Sequence, residues 1–252
     1  MAGSPAENVA DLAYHALVHT KLRRELRFCE ARPILPRGKL MSAQAPIVRE
    51  PRWPAIVAML AAGCVYWALP EPLSVGPSWL LLAIILVLAI PLVISNHQGH
   101  FNVARILTFT ANGAITIGMV ASLAFLIQGI PHHREPAQTL LRAATALWVT
   151  NVLVFALWYW KLDGGGPLNR ESRRGRIESS FLFPQMLSQE GGDASWSPRF
   201  MDYLFLAFNT STAFSPTDTA VLSRWAKAGM MVQALISLTI VALLAARAVN
   251  VL

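Results

Sequence analysis

Residues 79–94 read WLLLAIILVLAIPLVI, sixteen positions without one charged side chain. Apolar surface of that extent is too costly to leave in water. At 1.5 Å per residue, the run also comes close to the roughly 20 residues that a helix needs to cross about 30 Å of hydrocarbon. Pro91 falls late in the run and predicts a kink rather than a break, because packed neighbours can satisfy the carbonyl it frees. Four more runs of this kind lie around it. Residues 54–69 carry Trp53 and Trp67 near their ends, and residues 103–130 are long enough to tilt in a bilayer. Residues 140–160 close on Trp158, Tyr159, Trp160 and Lys161, an interfacial belt and anchor, and residues 225–246 begin beside Lys227, which can snorkel to the interface. Within 103–130, Ala111, Gly113, Ala114, Gly118 and Ser122 predict a face where another helix packs closely.

Composition agrees with a lipid environment. Of 252 residues, 54% are hydrophobic and only 14% charged, against about 25% charged in an ordinary soluble domain. That excludes a disordered chain. The net charge of +7 would suggest nucleic acid in a soluble protein, but most basic groups here flank apolar runs, so no nucleic-acid partner is expected. Cys29 and Cys64 stand far apart without metal-ligand spacing.

Residues 1–52 are polar and basic, with nine Lys and Arg against five acidic side chains, and 6–27 have the periodicity of a surface helix. No cleaved secretory signal is expected, since Lys21, Arg23, Arg24 and Arg27 follow rather than precede the mildly apolar part. Residues 32–39 read as a Pro-rich linker, and Met41 is an alternative start. The expected architecture is all-α: a polytopic transmembrane bundle of about five spanning helices, one re-entrant pore-like helix and the basic N-terminal surface helix. Its parts are 1–52, a four-helix region 53–161, a polar loop 162–199, and 200–252 with the re-entrant hairpin and last span. The re-entrant assignment rests on residues 203–214, aromatic and apolar but too short to cross. With five spans, 18 of the 21 Lys and Arg fall on the side of the N-terminus, which predicts a cytoplasmic N-terminus.

The spans hold no Asp or Glu, where proton- or cation-coupled pumps usually place them. Their polar groups are Asn112, Asn151 and Gln233, read as helix-packing residues, with Ser237 and Thr239. His97 and His100 lie across the membrane from His132 and His133, so the four cannot share an ion; His15 and His19 are read as solvated. No nucleophile, metal or phosphate-cradling motif is present, so no catalytic activity, metal or cofactor is expected.

The most specific stretch is residues 206–218, LAFNTSTAFSPTD. It resembles the pore helix and filter of two-helix potassium channels, typically FSFVTLTTVGYGD: Phe208, Thr210, Thr212 and Asp218 match without a gap, and Asp202 and Tyr203 stand at the aromatic lead-in. The resemblance covers 140–252 and implies an outer helix, a pore helix and an inner helix. Ser215, Pro216 and Thr217 replace the filter's Gly-Tyr-Gly, and Pro216 restricts Ser215 to extended backbone, so a potassium-selective filter is not expected. With WYWKLDGGGP and AFNTSTAFSPTDT, the chain resembles a family of uncharacterised bacterial integral membrane proteins with such a degenerate channel-type C-terminus. That implies a bacterial plasma membrane location. Three functions stay open: a non-conducting scaffold, an oligomeric cation pore lined by Thr210, Thr212, Ser215, Thr217 and Asp218, and a transporter. The pore requires a homo-oligomer in the lipid bilayer.

Overall fold

The computed structural model describes residues 50–129, 136–172, 179–187, 196–212 and 218–249. The chain divides into two units, Met1–Pro46 and Ile47–Leu252, and every described residue belongs to the second. The expected surface helix with His15 and His19 lies outside the described residues, as do His132, His133, Ser215, Pro216 and Thr217.

The described chain is mostly helical. Its long helices are α1 (Trp53–Trp67), α2 (Trp79–His97), α3 (Phe101–Gly129) and α4 (Ala137–Leu162). A 3-10 turn (Asp163–Gly165) leads to α5 (Pro167–Ser172), strand β1 (Phe181–Leu182) and α6 (Pro184–Leu187). Then come α7 (Phe200–Thr212), strand β2 (Ala220–Val221) and α8 (Arg224–Val249). The two strands pair antiparallel, Phe181 opposite Val221 and Leu182 opposite Ala220. Three segments are long and apolar enough to cross a membrane, Asn102–Gln128, Gln138–Gly165 and Arg224–Ala246; Trp53–Trp67 and Trp79–Ser95 are shorter apolar helices. α2 continues through Pro91 as one helix.

α4 is the centre of the bundle, packed against α1, α3, α7 and α8, while α2 packs on α1 and α3. Its sequence suits that place: Ala143, Ala144, Leu147, Val154 and Ala156 are buried at successive turns, so its neighbours approach a face of small and branched side chains. α8 is the opposite case. Met231, Val232, Leu235, Leu238 and Val241 are all exposed, a surface that hydrocarbon tolerates and water does not.

Close packing falls partly where the sequence placed it. A Cβ on Gly118 would stand 3.3 Å from the Tyr66 ring and 3.4 Å from Leu81, and Ser122 donates to the Tyr66 hydroxyl at 3.2 Å. Gly113 has nothing within 4 Å of such a Cβ and takes no part in that contact. A closer helix–helix approach is at Gly63 of α1, where an added Cβ would meet Ile85 Cδ1 at 2.8 Å and Leu82 Cδ1 at 3.0 Å.

At the end of α4 the chain reverses through Gly164, Gly165 and Gly166, with φ of 57°, 77° and 94°. A Cβ at Gly166 would lie 2.9 Å from the Lys161 carbonyl oxygen, so glycine is required there on both backbone and steric grounds. α7 starts at this same end of the bundle, with Phe200 against Trp160, and reaches inward until Phe208 meets Trp148 edge-on at 5.8 Å. Trp148 lies fourteen residues before the end of α4, about 20 Å along it. α8 then sets out from the first end again, with Trp225 against the Phe181 ring.

Gly63→Leu is expected to lower stability by about 1–3 kcal/mol through overpacking between α1 and α2. Gly113→Ala, in a helix interior with open space, is expected to be neutral or to gain about 0.5–1 kcal/mol. Thermal unfolding of the two variants in the same detergent checks the contrast.

Candidate functional site

The C-terminal module, α4 with α7 and α8, is organised by two polar clusters, one at the end of the bundle and one within it. The first is built on Asp163, which the sequence reading left in a loop and which is fully buried at the turn after α4. An ionised carboxylate in such a place must be surrounded by donors. Oδ2 accepts from the Tyr203 hydroxyl at 2.6 Å and from Ser179 Oγ at 2.8 Å, and Oδ1 accepts from the Ser180 backbone N–H at 2.5 Å. One side chain thereby joins α4, the segment that becomes β1, and α7. Burial, reinforced by Asp163 beside it, pushes the Tyr203 phenol well above its ordinary range, so it stays a donor at any physiological pH.

Arg170 of α5 completes this cluster. Its Nη1 donates to the carbonyls of Trp160 at 2.9 Å and Asp163 at 2.8 Å, and its Nη2 pairs with Glu50 at 3.1 Å. Both partners of that ion pair are buried, and Trp160 Nε1 also donates to Glu50, at 2.5 Å. The guanidinium lies over the Tyr203 ring, 5.1 Å from its centre. The α4 C-terminus therefore has its last carbonyls satisfied by a cation, the arrangement that orphan carbonyls and the helix dipole both favour.

The second cluster lies at the level of α7's inner half. Gln233 of α8 is fully buried. Its Nε2 donates to the Ala207 carbonyl at 2.7 Å and to Ser211 Oγ at 2.8 Å, and its Oε1 accepts from the Tyr159 hydroxyl at 2.7 Å. Asn151 of α4 adds bonds to the Gln233 carbonyl at 3.2 Å and to Ser237 Oγ at 2.8 Å. The two amides thus bond α4, α7 and α8 to one another, the packing role expected of them. Asn112 does not behave this way: it is buried on α3, and neither its Nδ2 nor its Oδ1 has a partner among the described residues.

Thr210 Oγ1 donates to the Leu206 carbonyl at 2.8 Å, and Thr212 Oγ1 to the Phe208 carbonyl at 3.0 Å. Asp218 is exposed, and Ser215, Pro216 and Thr217 fall outside the described residues. Among the described residues no three His, Cys, Asp or Glu side chains stand where they could hold a metal. Sequence reasoning missed Glu50, Asp163 and Arg170; the available signal was an Asp directly before three glycines, with an Arg one helical turn past them.

Arg170→Met keeps an unbranched stem and deletes the charge and all of the guanidinium donors, and is expected to cost about 3–5 kcal/mol. Tyr203→Phe removes only one donor to Asp163 and is expected to cost about 1–2 kcal/mol. Thermal or denaturant unfolding in detergent ranks the two; equal stability of Arg170→Met and wild type would contradict the role given to this cluster. In comparisons with known proteins, no family model, no curated protein and no solved structure matches the chain.

Proposed function

We propose that the chain is a multi-pass integral protein of the bacterial plasma membrane whose C-terminal module is a non-conducting, non-catalytic scaffold. In this reading α1, α2, α3, α4 and α8 cross the bilayer, and α7 enters and returns on one side as a half-crossing. The N-terminus and the 162–223 region face the cytoplasm, where the basic residues concentrate. The single observation that carries the scaffold reading is Gln233: its bonds to Ala207, Ser211 and Tyr159 fasten α7 to its own chain's helices. A conducting filter needs groups left free to face a shared axis, and the Thr210 and Thr212 hydroxyls are engaged by their own helix. The degenerate Ser-Pro-Thr filter positions point the same way.

A second reading is an oligomeric cation pore lined by 210–218. Exposed Asp218, matched to the acidic residue at the channel filter's end, is the feature in its favour. Size measurement in detergent and planar-bilayer recording separate the two. The scaffold predicts a monomer with no cation current, before and after Asp218→Asn. A symmetric oligomer whose current falls on Asp218→Asn overturns it. Reporter fusions after Gly166 and after Leu252 are expected to report the cytoplasm and the far side respectively; an external Gly166 would reverse the orientation.

A further inference from the structure

The helices of the bundle are level at one end and stepped at the other. Arg52 at the start of α1, Arg105 near the start of α3 and Lys161 near the end of α4 share one neighbourhood, and cations at helix ends mark the headgroup level. Measured from there at 1.5 Å per residue, α3 reaches Gln128 and α4 reaches back to Gln138 after about 34 Å, whereas α1 reaches Trp67 after about 22 Å. Tilt does not explain the difference, because α1 meets α3 well short of that helix's end. A Cβ on Gly118 would touch the Tyr66 ring, and Ser122 donates to the Tyr66 hydroxyl. α2 starts near the same level, with Leu81 against Gly118. Beyond Ser122, α3 continues to Gly129, about 10 Å further.

The surface of the α1–α2 hairpin matches this reduced height. Trp53, Val57, Cys64 and Trp67 form one exposed stripe along α1 with an indole at each end, and Trp79 is exposed where α2 begins. Indoles bounding an apolar stripe mark two interfaces, here about 21 Å apart along the helix against about 30 Å for ordinary hydrocarbon. Between the two helices, Glu71 is exposed in the 3-10 turn Glu71–Leu73, which packs on α3. On α3 itself Val120, Phe125 and Ile127, at and beyond that level, are exposed and apolar. A flat bilayer surface cannot serve both flanks. Set at the end of α3, it leaves the Glu71 carboxylate about 10 Å down in hydrocarbon, where a charge is costly; set at Glu71, it strands the last apolar turns of α3 in water. We propose that the α1–α2 hairpin holds a local thinning of the bilayer, with the headgroups of the leaflet farther from Arg52, Arg105 and Lys161 drawn down to Trp67, Glu71 and Trp79. Local thinning is the ordinary response to an apolar stretch shorter than the hydrocarbon. The proposal rests on the reading that α1 to α4 cross a bilayer, and on nothing in the choice between scaffold and pore.

The test uses the full chain, carrying Cys29→Ser and Cys64→Ser, in dioleoylphosphatidylcholine vesicles. A spin label is placed in turn at Ala68→Cys and at Val120→Cys, exposed positions at nearly one level on the end of α1 and on α3. A water-soluble nickel chelate is expected to reach the label at residue 68, whereas at residue 120 oxygen reaches the label and nickel does not. Val75→Cys, exposed in the connection between α1 and α2, is expected to read as residue 68 does, which keeps the test open should one label disturb the fold. Oxygen without nickel at all three positions means a flat bilayer and overturns the thinning. Shielding of residues 68 and 75 from both reagents means that protein, a second copy included, fills the step, and overturns it too. Nickel at residue 120 as freely as at residue 68 instead removes the membrane reading on which the proposal rests, so the two failures are told apart.

Discussion

The constraint on which the C-terminal half depends is the burial of a charge at Asp163. Withdrawing a carboxylate from water costs several kcal/mol unless donors replace the lost solvent, and here the donors come from three places: Ser179, Ser180 and Tyr203. Meeting that demand brings the segment before β1 under the end of α4 and holds the start of α7 against it. Arg170 adds a second demand, since its own charge requires Glu50 and the Trp160 and Asp163 carbonyls. The three left-handed glycines are what let the chain turn sharply enough for Arg170 to reach back over that end.

Deeper in the module the same logic operates with neutral groups. Gln233, Asn151, Tyr159, Ser211 and Ser237 are bonded to one another across three helices, with Asn151 Oδ1 left without a partner among the described residues. In an apolar surrounding, each such bond is modest in energy but specific in geometry. It fixes which face of α8 turns inward, leaving the rest of that helix to the surroundings. An element that looks uniformly greasy in sequence is therefore oriented by one amide.

Much of this was legible in advance. The apolar runs located helices α1 to α4 and α8 to within a few residues, because long apolar helices leave uninterrupted patterns, and three of the five, α3, α4 and α8, are long and apolar enough to cross a membrane. The short run at 203–214 was recognised as too short to cross, and the helix found there is Phe200–Thr212. Asn151 and Gln233 were recognisable as packing amides because a polar group at that depth has few other fates. Asn112 shared the same signature and has no such partner among the described residues. Asp163, Arg170 and Glu50 were not legible, because Arg170 pairs with Glu50 120 positions away and Asp163 with residues up to 40 positions away, and a sequence shows them only as charges outside the apolar runs. Gly63 was overlooked for a related reason: its closeness to Ile85 depends on how two helices cross, which neither helix encodes alone.

The amide lock has a consequence for biogenesis. Asn151 is made 82 residues ahead of Gln233, so α4 is finished carrying a side chain whose lasting companions do not yet exist. Until α8 is made, that amide lacks the Gln233 carbonyl and the Ser237 hydroxyl it bonds in the finished fold. The last long helix to be made among the described residues is thus the one that completes the bonding of Asn151.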